Sequence, residues 1–195
     1  MRQRQALACG GLFGPLGFVV AWVTAGASAT GYSPVNEVIS QLAAVDASTR
    51  WPMTAGFACF GVAVLGYSRA LRDALGGSAW VAATASGAAT LGAGAFPLGA
   101  SSVIDLVHGG FATVGSAALA LTPLLAARPL AAGGHRAAAT GSRLVGVLSA
   151  GCLATSAFAP AEGLMQRVGL TLAHAWIAAS AIAIIRGTTR AGASD

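Results

Sequence analysis

The sequence predicts an all-α integral membrane protein: a bundle of six transmembrane helices, with a short amphipathic interfacial helix after the first span. Three observations carry this expectation. Of 195 residues, 55% are apolar and only 9% charged, whereas about a quarter are charged in an ordinary soluble domain, so a water-facing globule could not be covered. The mean hydropathy is correspondingly high, at +0.72. Six stretches come near the about 20 apolar residues that cross about 30 Å of hydrocarbon, and the arginines sort to alternate ends of them. The connectors are too short to hold a soluble domain, so residues 1–195 are expected to form a single membrane domain.

The expected spans are Leu7–Ala25, Trp51–Ser68, Ser78–Leu98, Leu106–Ala127, Leu144–Ala159 and Val168–Ile185. The first follows Arg2 and Arg4 and precedes Ala27-Ser28-Ala29, the layout of a secretory signal. Its apolar run exceeds the about 7–15 residues of a signal core, which favours a retained helix. The third is almost entirely Ala, Gly, Ser and Thr from Ala82 to Ala95, with little bulk to meet lipid, and is expected inside the bundle. The fifth is the shortest. Membrane helices associate through small residues, and Gly10 with Gly14, Gly110 to Ser116 and Gly146 to Gly151 offer flat faces to a neighbouring helix or to a second copy in a homo-oligomer. Pro15, Pro97 and Pro123 mark bends or ends. No internal repeat of the secondary-transporter kind is visible.

Orientation follows from the arginines, because cytoplasmic loops are enriched in positive charge. With the amino terminus inside, Arg2, Arg4, Arg69, Arg72, Arg128, Arg136, Arg143, Arg186 and Arg190 are cytoplasmic, and only Arg50 and Arg167 lie outside, beside Glu37, Asp46, Asp105 and Glu162. The expectation is a plasma-membrane protein with both termini in the cytoplasm. A net charge of +5 arises from eleven scattered arginines and no lysine, which argues against a nucleic-acid groove. Cys9, Cys59 and Cys152 lie in apolar stretches and form no pairing pattern.

The outer connector reads as a helix. Ser33 can cap it with Pro34 in its first turn. Val35, Val38, Ile39 and Leu42 then fall on one face, and Glu37, Ser40 and Gln41 on the other.

Ionisable groups inside spans are costly and are functional candidates by default. His174 in the last span shares a face with Arg167 and Thr171, and His108 in the fourth follows Asp105 by one turn. Topology brings Asp105, His108, Glu162, Arg167 and His174 to the outer half, where Glu37 and Ser40 join them. Asp105, His108 and His174 are the candidate catalytic residues, and Glu37, Ser40, Arg167 and Glu162 the candidate ligand-binding ones. In that arrangement Asp105 holds the His108 tautomer, and Arg167 pairs with Glu37 or Glu162 or meets an anionic headgroup. Several chemistries remain open: metal-assisted lipid hydrolysis, a serine nucleophile at Ser40 or Ser101 with His108 and Asp105, and bis-histidine haem ligation. No HExxH-like ligand pair specifies a metal, and the sequence leaves both metal and cofactor open. His135 reads as a solvated residue of an inner loop.

Tyr32-Ser33-Pro34 followed by Val38-Ile39-Ser40-Gln41-Leu42, the Phe96-Pro97 pair, and Gly163-Leu164-Met165-Gln166-Arg167 give the chain a further identity. It resembles, over nearly its whole length, the bacterial membrane-protein family called domain of unknown function 998. The resemblance implies a small multi-span helical fold and no established activity. It also implies a frequently acidic position where this chain has Gln41, and the amide weakens any metal or proton role there. A looser likeness is to membrane hydrolases related to alkaline ceramidases and adiponectin-type receptors, which place several His, an Asp and a Ser around zinc; two intramembrane histidines stand here where those use three. The functional expectation is an outward-facing polar pocket that binds a membrane lipid or small amphiphile, with hydrolysis as an extension. A small transporter and a b-type haem redox protein are the rival readings.

Overall fold

A computed structural model describes residues 2–158 and 160–188; Ala159 and Arg190, which figure in the expectations above, lie outside the described residues. The described chain is helical and contains no strand. Its helices are α1 (Arg2–Ala8), α2 (Gly10–Ser28), α3 (Arg50–Leu75), α4 (Ala79–Ala95), α5 (Ser102–Ala132), α6 (Arg136–Thr155) and α7 (Glu162–Arg186). Leu12 and Phe13 both donate their N–H groups to the Cys9 carbonyl, at 2.9 and 3.0 Å, so α1 and α2 run on as one 27-residue apolar segment. That segment, α3, α5, α6 and α7 are the five helices long and apolar enough to cross a membrane.

The third expected span is shorter than its sequence suggested. Pro97 disfavours helical backbone at the residue before it, Phe96 is accordingly extended, and α4 stops after 17 residues. At 1.5 Å per residue it measures about 26 Å, a little less than the hydrocarbon thickness. It is also not central: α4 packs between α3 and α5 and leaves an outer strip of Val81 and Ala88 exposed. Small residues there serve close contact with one neighbour instead, since a Cβ at Gly61 would stand 2.8 Å from the Gly87 carbonyl of α4. The fifth expected span begins eight residues early, at Arg136, because a helix end that projects beyond lipid tolerates Arg136 and Arg143.

Each helix packs on its successor, and α7 closes the ring onto α2 while also touching α5 and α3. Gly10 and Gly14 of α2 lie against Ala63 of α3, as the small-residue spacing predicts, whereas nothing approaches Gly110 or Gly151 within 4 Å. Phe18, Phe57, Phe60, Tyr67 and Ile177 fill the middle. Large apolar side chains such as Phe13, Leu16, Val62, Leu106, Leu144 and Val147 stay exposed around the outside, the pattern expected of a surface solvated by lipid tails.

The predicted amphipathic helix after the first span does not form. Ser33 caps a single turn, in which Asn36 N–H donates to its Oγ at 3.3 Å and Glu37 Oε2 accepts from the Ser33 N–H at 2.5 Å. Val38 is then extended, and Ile39–Ala43 make a five-residue 3-10 turn. The cause lies in α7. Arg167 takes the Pro34 and Glu37 carbonyls, which an α-helix would have given to its own N–H groups four residues on. Ile39 and Leu42 are buried as the pattern predicted, but Val35 is exposed and Ser40, assigned to the polar face, is buried.

Candidate functional site

The connector between α2 and α3 is fastened to the first two turns of α7. Arg167 is buried, and its Nη1 donates to the carbonyls of Pro34 at 2.8 Å, Glu37 at 2.9 Å and Gly163 at 2.9 Å. Its Nη2 donates to the Tyr32 hydroxyl, and the guanidinium lies over the rings of Trp22 and Tyr32, 5.2 and 5.5 Å from their centroids. The Tyr32 O–H donates onward to the Glu37 and Val38 carbonyls, 3.1 Å from each. Burial pushes the Tyr32 phenol above its ordinary value despite the neighbouring Arg167, so it remains the neutral group this network requires. One residue before Arg167, Gln166 Oε1 accepts the Ile39 N–H at 2.8 Å. The Leu164 N–H, an orphan donor of the helix start, reaches the Val35 carbonyl at 2.9 Å. Gly163 is required by this approach, because a Cβ there would run into the Glu37 and Pro34 carbonyls.

Arg167 therefore meets Glu37 through its backbone carbonyl, and the expected carboxylate pairing is replaced. The Glu37 carboxylate serves the Ser33 N–H.

Beneath the fastened connector is a cavity of about 60 Å³, room for a few waters or one small polar group. Ser40, Ser86, Thr90, Ser116, Gln166 and His174 bring polar groups to it, and Phe18, Phe57, Phe60 and Phe111 supply its apolar walls. Ser40 and His174, proposed from sequence, thus share one site. His174 sits midway along α7, about 18 Å from its start, because the helix begins at Glu162, six residues before the expected span at Val168. Its ring packs against Phe60 at 4.8 Å and Phe18 at 5.5 Å between centroids. Nδ1 is sealed with no partner, so Nε2 is the nitrogen left for the cavity. Thr171, expected on the same face, is exposed.

A second hollow of about 550 Å³ runs between α5 and α6, walled by Ala117, Leu121, Leu124, Leu153 and Phe158. Ala112, Ser116 and Gln166 line both it and the cavity. The small chamber and the larger apolar groove therefore share a wall. Sequence reasoning missed Phe111, Ser116 and Gln166 as site residues; Gln166 was visible only as part of a family motif.

His108 and Asp105 belong elsewhere. His108 is buried, with Nδ1 2.8 Å from the Phe96 carbonyl and 3.0 Å from that of Ala93. Two carbonyl acceptors require the proton on Nδ1, so His108 satisfies the orphan carbonyls at the end of α4. Its Nε2 is sealed without a partner. Asp105 accepts the Gly99 N–H at 2.8 Å and does not set the His108 tautomer. Ser101 caps α5 through the Ile104 N–H. The serine triad considered from sequence is thus taken apart into three local structural roles. Glu162 opens α7, partly exposed, and makes no hydrogen bond with Arg167. Among the described residues no three His, Cys, Asp or Glu side chains come together as a metal site. With His108 Nε2 sealed, the two histidines do not fit zinc or haem as joint ligands.

A family model described as "Protein of unknown function (DUF998)" matches residues 12–183. The chain belongs to this family. No curated protein and no solved structure matches it. Within the matched residues of this DUF998 chain, the motifs noted from sequence converge on the fastening and the cavity. Tyr32, Pro34, Gly163 and Arg167 make the fastening, Ser40 and Gln166 reach the cavity, and Phe96 gives the carbonyl that His108 holds.

Proposed function

We propose that this DUF998 member is a plasma-membrane protein with cytoplasmic termini that binds a membrane lipid or small amphiphile from the outer leaflet. The chain of the ligand lies in the α5–α6 groove and its polar end enters the chamber beside His174. The observation that carries this reading is the sharing of Ala112, Ser116 and Gln166 by the two hollows. An apolar groove of several hundred Å³ ending in a few convergent polar groups is what a small-molecule site looks like. The arginine distribution supports the orientation. Hydrolysis is not part of the reading: among the described residues no group hydrogen-bonds His174 Nδ1, so nothing orients the imidazole as a general base.

Transport finds less support. A hollow of about 200 Å³ near the far end of α7 is lined by Leu75, Leu130, Ser142, Trp176 and Ser180. Its serines are already engaged, Ser142 by the Trp176 N–H and Ser180 by Tyr67.

The reading is tested with a long-chain fatty alcohol bearing a diazirine, irradiated with the protein in liposomes. Crosslinks are expected to concentrate on the walls of the groove, around Ser116, Leu121, Leu153 and Phe158. Labelling spread evenly over lipid-facing residues such as Val62 and Leu144 would overturn it.

A further inference from the structure

Resting on that reading, we infer that the ligand is a single-chain lipid whose head is uncharged and hydrogen-bonding, such as a monoacylglycerol, and not one that carries a phosphate or carboxylate. Among the described residues, no Arg, Asp or Glu lines either the chamber or the groove. What the chamber presents is hydroxyls, one amide and one imidazole.

The nearest cation on α7 is already committed. Every N–H of Arg167 that finds a partner goes to Pro34, Glu37, Gly163 or Tyr32, and its Nε is sealed from outside contact. A phosphate needs charge-assisted donors in a bidentate or clustered array, and a chamber walled by four phenylalanine rings offers it none. An anion placed there would lose its hydration without an ion pair to offset the loss.

A neutral head loses far less and finds matching partners. The Gln166 amide uses its oxygen for the Ile39 N–H, which leaves its NH2 to donate to a ligand carbonyl or hydroxyl. Neither ring nitrogen of His174 is held by a protein group, and Nδ1 is sealed, so Nε2 has to find its partner in the chamber. Ser40, Ser86 and Ser116 can each donate or accept. The chamber is small enough that one glycerol-sized head fills it while the chain continues past Ser116 into the groove.

The test is competition against the photoreactive fatty alcohol in the full-length protein, using monooleoylglycerol and oleoyl lysophosphatidate, which share a chain and differ in the phosphate. The glyceride is expected to displace the label at least about tenfold more effectively, equivalent to about 1.4 kcal/mol. Replacement of His174 by Phe, which keeps an aromatic ring against Phe18 and Phe60, is expected to reduce displacement by the glyceride several-fold while groove labelling persists. Equal or better competition by lysophosphatidate, or an unaltered response in His174→Phe, overturns the inference and leaves the groove as a lipid site. Failure of the alcohol itself to label the groove removes the reading beneath it, and this inference with it.

Discussion

The guanidinium of Arg167 donates to the Pro34 carbonyl at 2.8 Å across 133 positions of chain. That contact decides the shape of the connector, since a backbone acceptor given to a side chain of another helix cannot also serve its own. It also roofs the chamber, because Ile39 and Ser40 follow within six residues and line it.

Loss of that side chain should therefore be felt as stability. Arg167→Ala leaves the Pro34 carbonyl without a donor and the Glu37 carbonyl with only the Tyr32 hydroxyl, and an acceptor stranded away from water costs about 1–3 kcal/mol. Arg167→Lys should restore little, because an ammonium lacks the planar fork that reaches several acceptors at once. Thermal unfolding in detergent is expected to show a large drop for both; an unchanged midpoint for Arg167→Ala would contradict the account.

Gly163 gives a sharper test because the change is one methyl. Gly163→Ala places its Cβ into two carbonyl oxygens, and overpacking of this kind costs about 1–3 kcal/mol. Gly151→Ala, where nothing lies within 4 Å, is expected to be neutral or to stabilise by up to about 1 kcal/mol through helix propensity. The same unfolding assay separates them, and equal effects would show that the close approach is not needed.

The two buried histidines should behave differently. His108→Ala removes the donor to the Ala93 and Phe96 carbonyls and is expected to cost about 1–3 kcal/mol, with the photolabelling of the groove unchanged. His174→Phe is expected to keep the unfolding midpoint near wild type and alter ligand competition. Residues with no shared partner contribute independently, so the double variant should show the unfolding midpoint of His108→Ala and the competition defect of His174→Phe. A large non-additive coupling would revive a joint site.

Alkaline pH provides a fourth prediction through Tyr32. Its phenol is held above the ordinary value of 10.0 chiefly by burial, so the folded state keeps a proton that the unfolded state releases. The resulting contribution is fully present below about pH 10 and is lost as pH rises through the folded value. Wild type should lose stability as pH rises above about 10, the ordinary phenol value, more steeply than Tyr32→Phe. Parallel pH profiles would contradict it.

Hydropathy made the helices legible, because lipid exposure acts on each segment separately. Boundaries failed where a long-range partner or a helix end intervened. Arg136 and Arg143 read as loop, yet they extend α6. Val35, Val38, Ile39 and Leu42 carry a faultless helical spacing, and the helix is cancelled by Arg167, which no local pattern could report. The site was half legible for the same reason. His174 announced itself as a polar group in apolar surroundings and Ser40 through the polar face of the connector; His108 signalled as strongly as His174, although it serves only carbonyls at the end of α4. Ser116 and Gln166 gave no such signal, since a serine in a small-residue helix and a glutamine near a helix start are ordinary.

The most direct measurement is a density map of the protein with monooleoylglycerol in lipid nanodiscs. The account predicts a glycerol head beside His174 and Gln166, with its chain running past Ser116 between α5 and α6. A chamber closed by Phe111 or holding only water, with the glyceride scattered over the outer surface, would contradict it.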